Sequence, residues 1–564
     1  MADSKNMSDY AYLSLDGSLE DRQRLGESPI LAFDVEGSGT NMGKDVPYGF
    51  SLACEPTGAY YADINSTYFR QLLSDPNRLY IAHNAKYDRS MMKKAGVMVD
   101  NLCDTMIAAH LLWEQKLSLK DLASKHIKMD VKAFDDVKRD FAQMSLQEMA
   151  EYSGPHAIAA LRLWGALELK LKTFELLDIF WKIEMPLIPV LSDMELNGVM
   201  VDGDRLRSLG EQFDEKIALR IKALDILSQH PGMKHNSPNQ VRDLLFNEFK
   251  LSSGPRTGKK KKPSVNAEYL VTIKDKHPYI PYYLRFKEYK KLKSTYVDGL
   301  LGKIVNGRIH CSFNQAGTET GRLSCSNPNL QNIPMRSEEG KRIRTAFVAP
   351  PGHMLVKADY NQLELRVMAH CSKCVPMIKA FLNGEDVHEQ TAIRVFGGKK
   401  RRDDAKTLNF QIIYGGGDAK ERQKFFAAYP EIKRWTDITT KQAREAGYVQ
   451  TLGGRIRLIP EWEFLYSLQR GDKKAISHII QGSAAEAVKI GMRRAWEALK
   501  DSRAKMILQV HDELVFEVPE KEVPDVVKVL EKTLTYGELL IPLTVSISTG
   551  KNWGQMEGWK GASS

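Results

Sequence analysis

Apolar runs that lead into carboxylates recur along this chain. ILQVHDELVFEV (507–518) is almost wholly apolar around Asp512 and Glu513, and HMLVKADY (353–360) carries apolar residues up to Asp359. Such β-branched runs predict strands that pack on a core. Carboxylates at buried strand ends are costly to desolvate, so the pattern indicates charged partners for them.

The same pattern predicts an α/β unit near the N-terminus. PILAFDVEG (29–37) is an apolar strand that ends in glycine, and LYIAHNAKYD (79–88) is a second strand that runs into a polar turn. With a long helix predicted over 157–180, these strands indicate a unit over 28–165. The polar residues 1–27 are expected to form an extension.

Residues 181–300 have a mainly helical pattern. FKEYKKLKSTYVDGL (286–300) repeats apolar residues at steps of three and four, which predicts a helix with a buried stripe. Its outer face is basic and includes Lys293, and a lysine-rich loop (259–262) precedes it. Each feature alone is typical of a solvated surface, but together they would suit a phosphate backbone.

A further helix carries cations and aromatics on one face. In the stretch that ends with the triple glycine 415–417, Arg402, Lys406, Phe410 and Tyr414 follow at steps of four. Steps of four overshoot a helical turn only slightly, so these side chains share a slowly drifting face. The cations could bind a triphosphate and the aromatics could stack on a base, although an ordinary amphipathic helix has the same pattern.

Composition narrows the class of partner. The chain has 564 residues, a formal net charge of +10 and an isoelectric point near 9.0, which favours a polyanion such as nucleic acid or an anionic surface. No apolar run reaches the length of a membrane span, and the N-terminus resembles neither a signal nor a transit peptide. The six scattered cysteines indicate a reducing compartment, so we expect a cytoplasmic protein without membrane contact. Cys371 and Cys374, beside His370, could bind zinc or remain reduced thiols.

Five blocks in a fixed order carry a family resemblance. DYNQLELR (359–366), R-x-x-x-K-x-x-x-F-x-x-x-Y-G (402–415) and VHDE (510–513) resemble motifs A, B and C of family A DNA polymerases. KLKSTYVDGL (291–300) and TGRLSCSNPNLQNIP (320–334) are similar to two more blocks of that family. The likeness extends from about Pro186 to the C-terminal GKNWG and is to the large fragment of bacterial DNA polymerase I.

The resemblance implies a mixed α/β fold in two parts. An RNase H-like 3′–5′ exonuclease domain would precede a right-hand polymerase domain that binds primer-template DNA and dNTPs, in a chain expected to be monomeric. The expected bounds are 28–165 for the exonuclease-like domain, 166–564 for the polymerase domain, about 205–300 for the thumb, about 301–385 and 445–564 for the palm, and about 386–444 for the fingers.

The resemblance also implies roles for single residues. Asp359 and Asp512 would ligate two Mg²⁺ ions, for which Mn²⁺ could substitute, with help from the carbonyl of Tyr360, while Glu513 and Lys406 would support catalysis. The nucleotide-binding residues would be Arg402, Lys406, Phe410, Tyr414, Glu364, Tyr360 and His388. The DNA-binding residues would be Arg322, Gln481, His511, Lys473 and Lys293.

Two departures from the family pattern concern the residues expected to bind the template and the size of the fingers. Lys473 stands where the family usually has arginine, and Ser477 where it has asparagine. The segments before Lys406 and after Tyr414 are shortened, so smaller fingers and a phage or plasmid origin are expected.

The N-terminal unit resembles the proofreading exonuclease domain but lacks one of its acids. Asp34 and Glu36 are two residues apart and so share a strand face, and Asp88 and Tyr152 fit the same site. The position of the last acid holds His156, whose neutral ring has one lone pair and no negative charge. Because Mg²⁺ prefers oxygen ligands, we expect weakened exonuclease activity; in the alternative, His156 ligates a metal and proofreading persists.

Two further expectations concern the N-terminal unit. The Gly154–Pro155 step predicts a break in the helix between Tyr152 and His156. Because the exonuclease-like unit starts within about the first thirty residues, no 5′-nuclease domain is expected.

The expected function is therefore primer extension by nucleotidyl transfer. A nuclease with an inert polymerase half, a non-catalytic primer-template binding factor and an RNA-making or RNA-templated enzyme are the alternatives. The presence of Asp359, Lys406 and Asp512 argues against the first two, and Glu364 with Phe410 against the third.

Overall fold

The computed structural model describes residues 11–13, 19–132, 141–257, 262–335, 337–463, 468–535 and 539–561. The predicted lysine-rich loop falls outside these ranges apart from Lys262. Within them, two large hydrophobic cores form, one under the N-terminal unit and one under the C-terminal unit. No helix within these ranges is long and apolar enough to cross a membrane.

The N-terminal unit is a mixed sheet flanked by helices. Its elements are β1 (Ala11–Leu13), α1 (Leu19–Glu27), β2 (Ile30–Gly37), β3 (Pro47–Glu55), β4 (Gly58–Asp63), α2 (Thr67–Leu72), β5 (Leu79–Ala82), α3 (Ala85–Lys94), β6 (Leu102–Asp104), α4 (Thr105–Leu111), α5 (Leu119–Ile127) and α6 (Leu146–Thr173). The strand order is β1-β4-β3-β2-β5-β6, with β2 antiparallel to β3 and parallel to β5. The central β2 is buried on both faces, which explains its nearly continuous apolar run.

The segment expected to be an N-terminal extension packs with this unit. β1 pairs in parallel with β4, and α1 buries Leu25 in the core of the unit. Tyr60 on β4 donates a hydrogen bond of 2.9 Å to Asp21 of α1. The described part of residues 1–27 is therefore held by the sheet.

The long helix differs from its prediction. It spans Leu146–Thr173, so it begins before and ends before the predicted 157–180. It starts with a capping box between Ser145 and Glu148, and it continues through Pro155. The expected break is wrong because Ser153 to His156 are buried against the sheet, and this packing outweighs the hydrogen bond that proline removes.

A helical region follows and leads into short strands. Its elements are α7 (Leu177–Ile179), α8 (Leu187–Asn197), β7 (Val199–Met200), α9 (Gly203–Ser228), α10 (Pro238–Asp243), β8 (Arg256–Thr257), β9 (Lys262–Pro263), α11 (Ala267–Thr272), α12 (Tyr279–Lys293), α13 (Gly299–Leu301), β10 (Arg308–Ile309), β11 (Ser312–Asn314) and β12 (Ser324–Ser326). π-helical turns extend three of the helices, at Phe180–Glu184, Leu244–Glu248 and Ser294–Asp298.

The predicted amphipathic helix is confirmed in α12 and its extension. Phe286, Leu292 and Leu300 are among the buried residues of its stripe. The lysines on the other side are exposed apart from Lys293, which lies 3.3 Å from Asp214 and 3.0 Å from Asp298. The basic surface of α12 is therefore partly neutralised at its C-terminal end.

The remaining elements surround a five-stranded antiparallel sheet. They are α14 (Glu338–Arg344), β13 (His353–Tyr360), α15 (Leu363–Ser372), α16 (Val375–Leu382), α17 (Val387–Phe396), α18 (Arg402–Ile413), α19 (Ala419–Ala428), α20 (Pro430–Ala446), β14 (Tyr448–Gln450), β15 (Ile456–Leu458), α21 (Leu468–Ala498), β16 (Lys505–Val510), β17 (Glu513–Pro519), α22 (Val523–Leu534), β18 (Val545–Asn552) and β19 (Gln555–Gly558). The strand order is β16-β17-β13-β18-β19, and Asp359 on β13 faces Glu513 on β17 and Ser546 on β18.

A buried charge network joins the turn after α7 to the C-terminal unit. Glu184, in the turn after α7, receives hydrogen bonds from Lys489 of α21 (2.7 Å) and Gln315 (2.9 Å), and it pairs closely with Arg455. The side chains of Glu184 and Lys489 are 1% exposed. Burial disfavours the charged form of Glu184, but the charges of Lys489 and Arg455 lower its pKa to about 2. The pairing keeps the carboxylate of Glu184 ionised in the interior.

Candidate active site

The ends of two neighbouring strands bring the predicted acids together. Asp359 lies near the C-terminal end of β13, and Asp512 lies in the turn between β16 and β17. The backbone N–H of Tyr360 donates to the carbonyl of Asp512 (3.1 Å), which ties the two chain segments together. His511 precedes Asp512 with a left-handed φ of 59°, a conformation that the tight turn imposes.

The two carboxylates have a shared electrostatic environment. Burial and the nearby charge of Asp512 raise the pKa of Asp359 to about 6. Burial also raises the pKa of Asp512. Lys357 Nζ lies 3.9 Å from Asp359 and 3.5 Å from Glu513, so one lysine partly offsets the acidic charge. A pair of carboxylates with raised pKa values at a cavity wall is a donor set that fits hard divalent cations such as Mg²⁺.

Glu513 has a partner of its own in the C-terminal segment. It is buried, and it accepts a hydrogen bond of 2.7 Å from the indole N–H of Trp553. Its side chain therefore fixes β17 against the C-terminal segment.

One cavity of about 670 Å³ contains most of the predicted catalytic and nucleotide-binding side chains. It is lined by Asp359, Tyr360 and Asp512 together with Arg322, Glu364, His388, Arg402, Lys406, Phe410, Tyr414 and His511. Glu513, Gln481, Lys473 and Lys293 are not among its lining residues. Both acids and the helical face of α18 therefore line one cavity, and the roles of these residues stay predictions.

The cations of α18 have different partners. Arg402 donates to Asp386 from Nε (2.9 Å) and Nη2 (2.6 Å). Lys406, one turn further along, is exposed. Asp386 also caps α17 by accepting the backbone N–H groups of His388 and Glu389. Arg402 is therefore held in place while Lys406 is exposed at the cavity wall.

A polar cluster is also part of the cavity lining. Glu364 pairs closely with Arg322 and accepts a hydrogen bond from the hydroxyl of Tyr414 (3.2 Å). His388 is buried, its Nδ1 lies 2.9 Å from Asn409 Nδ2, and burial lowers its pKa to about 4. His388 is therefore neutral at pH 7.

The glycines after α18 allow close packing with α21. Gly415 has a φ of +69°, and a Cβ placed there would lie 2.5 Å from Cγ of Lys473. The exposed Lys473 therefore lies along the end of α18, outside the cavity. On the same helix, Gln481 donates to Ser477 Oγ at 2.7 Å.

The five predicted exonuclease residues converge in the N-terminal unit. Asp34 and Glu36 come from β2, Asp88 from α3, and Tyr152 and His156 from consecutive turns of α6. The rings of Tyr152 and His156 pack edge to face, with their centroids 4.6 Å apart. Within the described residues, Asp34, Glu36 and His156 form the only group of three or more His, Cys, Asp or Glu side chains whose ligand atoms could share one ion. Cys371 and Cys374 are free cysteines outside that group.

His156 lies between the acids. Its Nδ1 is 3.3 Å from Asp34 and 3.7 Å from Glu36. Burial opposes protonation of the ring, but the hydrogen bonds and charges of both carboxylates raise the pKa of His156 to about 10. Burial and the charge of Asp34 raise the pKa of Glu36 to about 7, and burial raises that of Asp88 well above its usual range.

Several residues of these sites were missed from the sequence. Asp386 could have been recognised as a helix cap, because an aspartate precedes the apolar start of α17. Lys357 alternates with apolar residues on β13, and this local pattern does not predict that its side chain lies close to two acids. Trp553 and Lys489 act through long-range packing, for which the sequence has no local signal.

Comparison with known proteins agrees with the two-unit architecture. Residues 203–555 match the family described as DNA polymerase family A, and residues 18–172 match a 3′-5′ exonuclease family. DNA polymerase I of Chloroflexus aurantiacus is 36% identical, with 94% of this chain and 62% of the relative covered. DNA polymerase I of Pseudomonas aeruginosa is 34% identical, with 94% of this chain and 64% of the relative covered. The thermostable DNA polymerase I of Thermus aquaticus is 38% identical, with 72% of this chain and 52% of the relative covered.

A solved structure shows the same fold. The POL domain of Pol1 from M. smegmatis, in complex with DNA primer-template and dNTP, superposes with a TM-score of 0.87 at 28% identity. The match covers 96% of this chain and 99% of that one. The fold and the family matches define a two-part chain, with a domain of the 3′-5′ exonuclease family before a domain of DNA polymerase family A. The chain belongs to DNA polymerase family A, and it spans slightly under two thirds of the length of the first two relatives above.

Proposed function

We propose that the chain extends a DNA primer along a template by transferring nucleotides from dNTPs. The observation that supports this most directly is the single cavity that contains Asp359, Asp512, Arg402 and Lys406. The structural relative is in complex with DNA primer-template and dNTP, and this chain matches almost all of it. Acids that suit divalent ions and cations that suit a triphosphate are both needed for phosphoryl transfer.

In the reaction, the primer 3′-hydroxyl attacks the α-phosphorus of a dNTP, and the bond to the departing pyrophosphate breaks. Asp359, Asp512 and the carbonyl of Tyr360 would hold divalent ions, Mg²⁺ or Mn²⁺. Bound there, such ions supply positive charge to the reacting phosphate and lower the pKa of the hydroxyl. Lys406 offsets the negative charge that develops on the leaving pyrophosphate.

The other cavity residues would position the substrates. Arg402 exchanges its contact with Asp386 for triphosphate oxygens, and neutral His388 donates a hydrogen bond to the same group. Phe410 packs on the incoming nucleotide and Tyr414 on the templating base. Glu364 lies where it would exclude a ribose 2′-hydroxyl.

The DNA duplex would lie outside the cavity. Arg322, Gln481 and His511 would contact the primer end of the duplex, Lys473 the template, and Lys293 the duplex further back. We propose the thumb at about 205–300, the palm at about 301–385 and 445–564, and the fingers at about 386–444. The reaction would take place in the cytoplasm, where chromosomal, plasmid or phage DNA is found.

Lys406→Ala is expected to lower kcat/KM for dNTPs by about 10²-fold or more, since a preorganised positive charge is lost from the site. Steady-state primer extension measures this ratio, and Lys441→Ala is the matched control, because Lys441 is an exposed lysine on α20. Equal kcat/KM values in both variants would refute the role of Lys406. Absence of any extension by the unmodified chain would favour the nuclease or the binding-factor alternative.

We infer in addition that Mg²⁺-dependent 3′–5′ trimming is weakened, because His156 takes the place of an acid. Active proofreading is the second candidate, and the convergence of Asp34, Glu36, Asp88 and Tyr152 supports it.

A 5′-labelled primer on a longer template, incubated with Mg²⁺ and no dNTPs, separates these two functions. We expect the primer to stay nearly unchanged and to lengthen once dNTPs are added. Progressive shortening that disappears in Asp34→Ala, but persists in the surface control Asp130→Ala, would establish active proofreading instead.

A further inference from the structure

The donor atoms around His156 form a compact mixed set. One ligand atom each from Asp34, Glu36 and His156 lies within 4.8 Å of the others, and Glu36 and His156 are buried. Once a cation displaces the proton on Nδ1, His156 contributes a nitrogen, whereas the other two residues contribute carboxylate oxygens. This set differs chemically from the all-oxygen surroundings that Mg²⁺ prefers.

The other ring nitrogen of His156 is already engaged. Nε2 lies 2.8 Å from the backbone carbonyl of Lys132. Because a carbonyl can only accept, Nε2 carries a proton, and Nδ1 is the nitrogen directed at the two carboxylates. Histidines that ligate metals typically donate their second N–H to a carbonyl or carboxylate, which fixes the tautomer and the ring orientation.

A buried carboxylate oxygen beside the cluster has no partner. Asp88 is 2% exposed, and its Oδ1 accepts the backbone N–H of Val35 at 3.0 Å, between Asp34 and Glu36. Its Oδ2 makes no hydrogen bond within the described residues. Such an orphaned oxygen is costly in an apolar interior, and a nearby cation would offset that cost.

We propose that Asp34, Glu36 and His156 Nδ1 bind one divalent transition-metal cation, of the Mn²⁺ or Zn²⁺ class, in preference to Mg²⁺. Imidazole nitrogen suits these ions, and their affinity for mixed nitrogen and oxygen sites exceeds that of Mg²⁺. The inference deepens the proposal of weakened Mg²⁺-dependent trimming, because it names the ion that the altered site selects.

The test uses Mn²⁺ as the probe and the full chain with Asp359→Asn and Asp512→Asn, so that the polymerase cavity no longer competes. Electron paramagnetic resonance measures free Mn²⁺ during a titration, and pulsed measurements detect a coordinated nitrogen. We expect one bound Mn²⁺ with nitrogen coupling, displaced by Zn²⁺ at far lower concentration than by Mg²⁺. Asp34→Asn in the same background should remove the binding.

His156→Asp restores an all-oxygen set and is the decisive variant. We expect the nitrogen coupling to vanish and the ratio of Mg²⁺ to Mn²⁺ dissociation constants to fall by about tenfold or more, the size of effect that ligand-shell changes produce. His230→Asp is the matched control, because His230 is an exposed histidine 2.6 Å from Glu248. It should change neither quantity.

Three results would overturn the inference. They are Mn²⁺ binding without nitrogen coupling, an unchanged ratio in His156→Asp, and binding no tighter than in Asp34→Asn. Thermal melting of each variant confirms that it is folded. Primer extension by the chain with intact Asp359 and Asp512 tests the polymerase proposal separately, so failure of one proposal is distinguishable from failure of the other.

Discussion

Replacing Asp512 with asparagine is expected to abolish primer extension and to leave the binding of primer-template DNA nearly unchanged. Asparagine has the size of aspartate, and the backbone contact from Tyr360 N–H to the carbonyl of residue 512 does not depend on the side chain. The substitution removes one negative charge from the pair that Asp359 and Asp512 form at the cavity wall. A loss of at least about 10²–10³-fold in the rate is expected, as for other charged or dipolar groups in preorganised sites.

Rapid-quench primer extension measures this rate, and fluorescence anisotropy of labelled primer-template measures binding. Asp525→Asn is the matched control, because Asp525 is exposed on α22 and pairs only with neighbouring Lys528 among the contacts described. It should extend normally. Normal extension by Asp512→Asn would refute the assignment of this carboxylate, and so would a parallel loss of binding with the fold intact.

The second large effect is expected at Glu184. Glu184→Gln removes the anion closest to the buried cations Lys489 and Arg455 and leaves the longer contact of Arg455 with Glu486, at 3.9 Å. Removal of one partner from a buried ion pair typically costs about 3–5 kcal/mol. We expect a loss of this size in the free energy of unfolding at pH 7. Because Lys489 also lines the polymerase cavity, primer extension should slow as well.

The pH dependence of this loss follows from the lowered pKa. In the folded chain the pKa of Glu184 is about 2, against an ordinary value of 4.5. A group with a lowered folded pKa stabilises the fold above its unfolded pKa and loses that effect as the pH falls through the folded value. The difference between the parent and Glu184→Gln should therefore be full above about pH 4.5 and shrink towards pH 2.

Denaturant unfolding at several pH values measures the difference. Asp178→Asn is the matched control, because Asp178 forms an exposed ion pair with Lys182. The side chain of Asp178 is 78% exposed and that of Lys182 is 71% exposed. Such pairs contribute at most about 1 kcal/mol to the free energy of unfolding. A variant Glu184→Gln as stable as the parent at pH 7, or a deficit that stays constant down to pH 2, would contradict the role of the network.

The candidate sites depend partly on local patterns that the sequence carries. Asp34 and Glu36 share a strand face because strand side chains alternate. Arg402, Lys406 and Phe410 lie along one helix because steps of four nearly match a turn. The strand ends at Asp359 and Asp512 follow from apolar runs that stop at a turn. For these reasons the two acids, the cationic helix and the mixed α/β fold were all predictable.

Other features depend on residues far apart in the chain. His156 lies 122 residues from Asp34, and their contact at 3.3 Å exists only because α6 packs on the sheet. The same packing keeps the helix continuous at Pro155, although proline locally disfavours a helix interior and so predicted a break. The pairing of Arg402 with Asp386 and the burial of Glu184 beside Lys489 and Arg455 likewise need the complete fold.

The sequence by itself thus determined the element types and the chemistry that each element carries, because periodicity and residue type act locally. The tertiary structure alone decided which charged groups meet, because desolvation and ion pairing depend on distances that only packing sets. In this chain, packing directs a histidine nitrogen at two exonuclease-like carboxylates, and it places two polymerase-like acids in one cavity with Arg402 and Lys406.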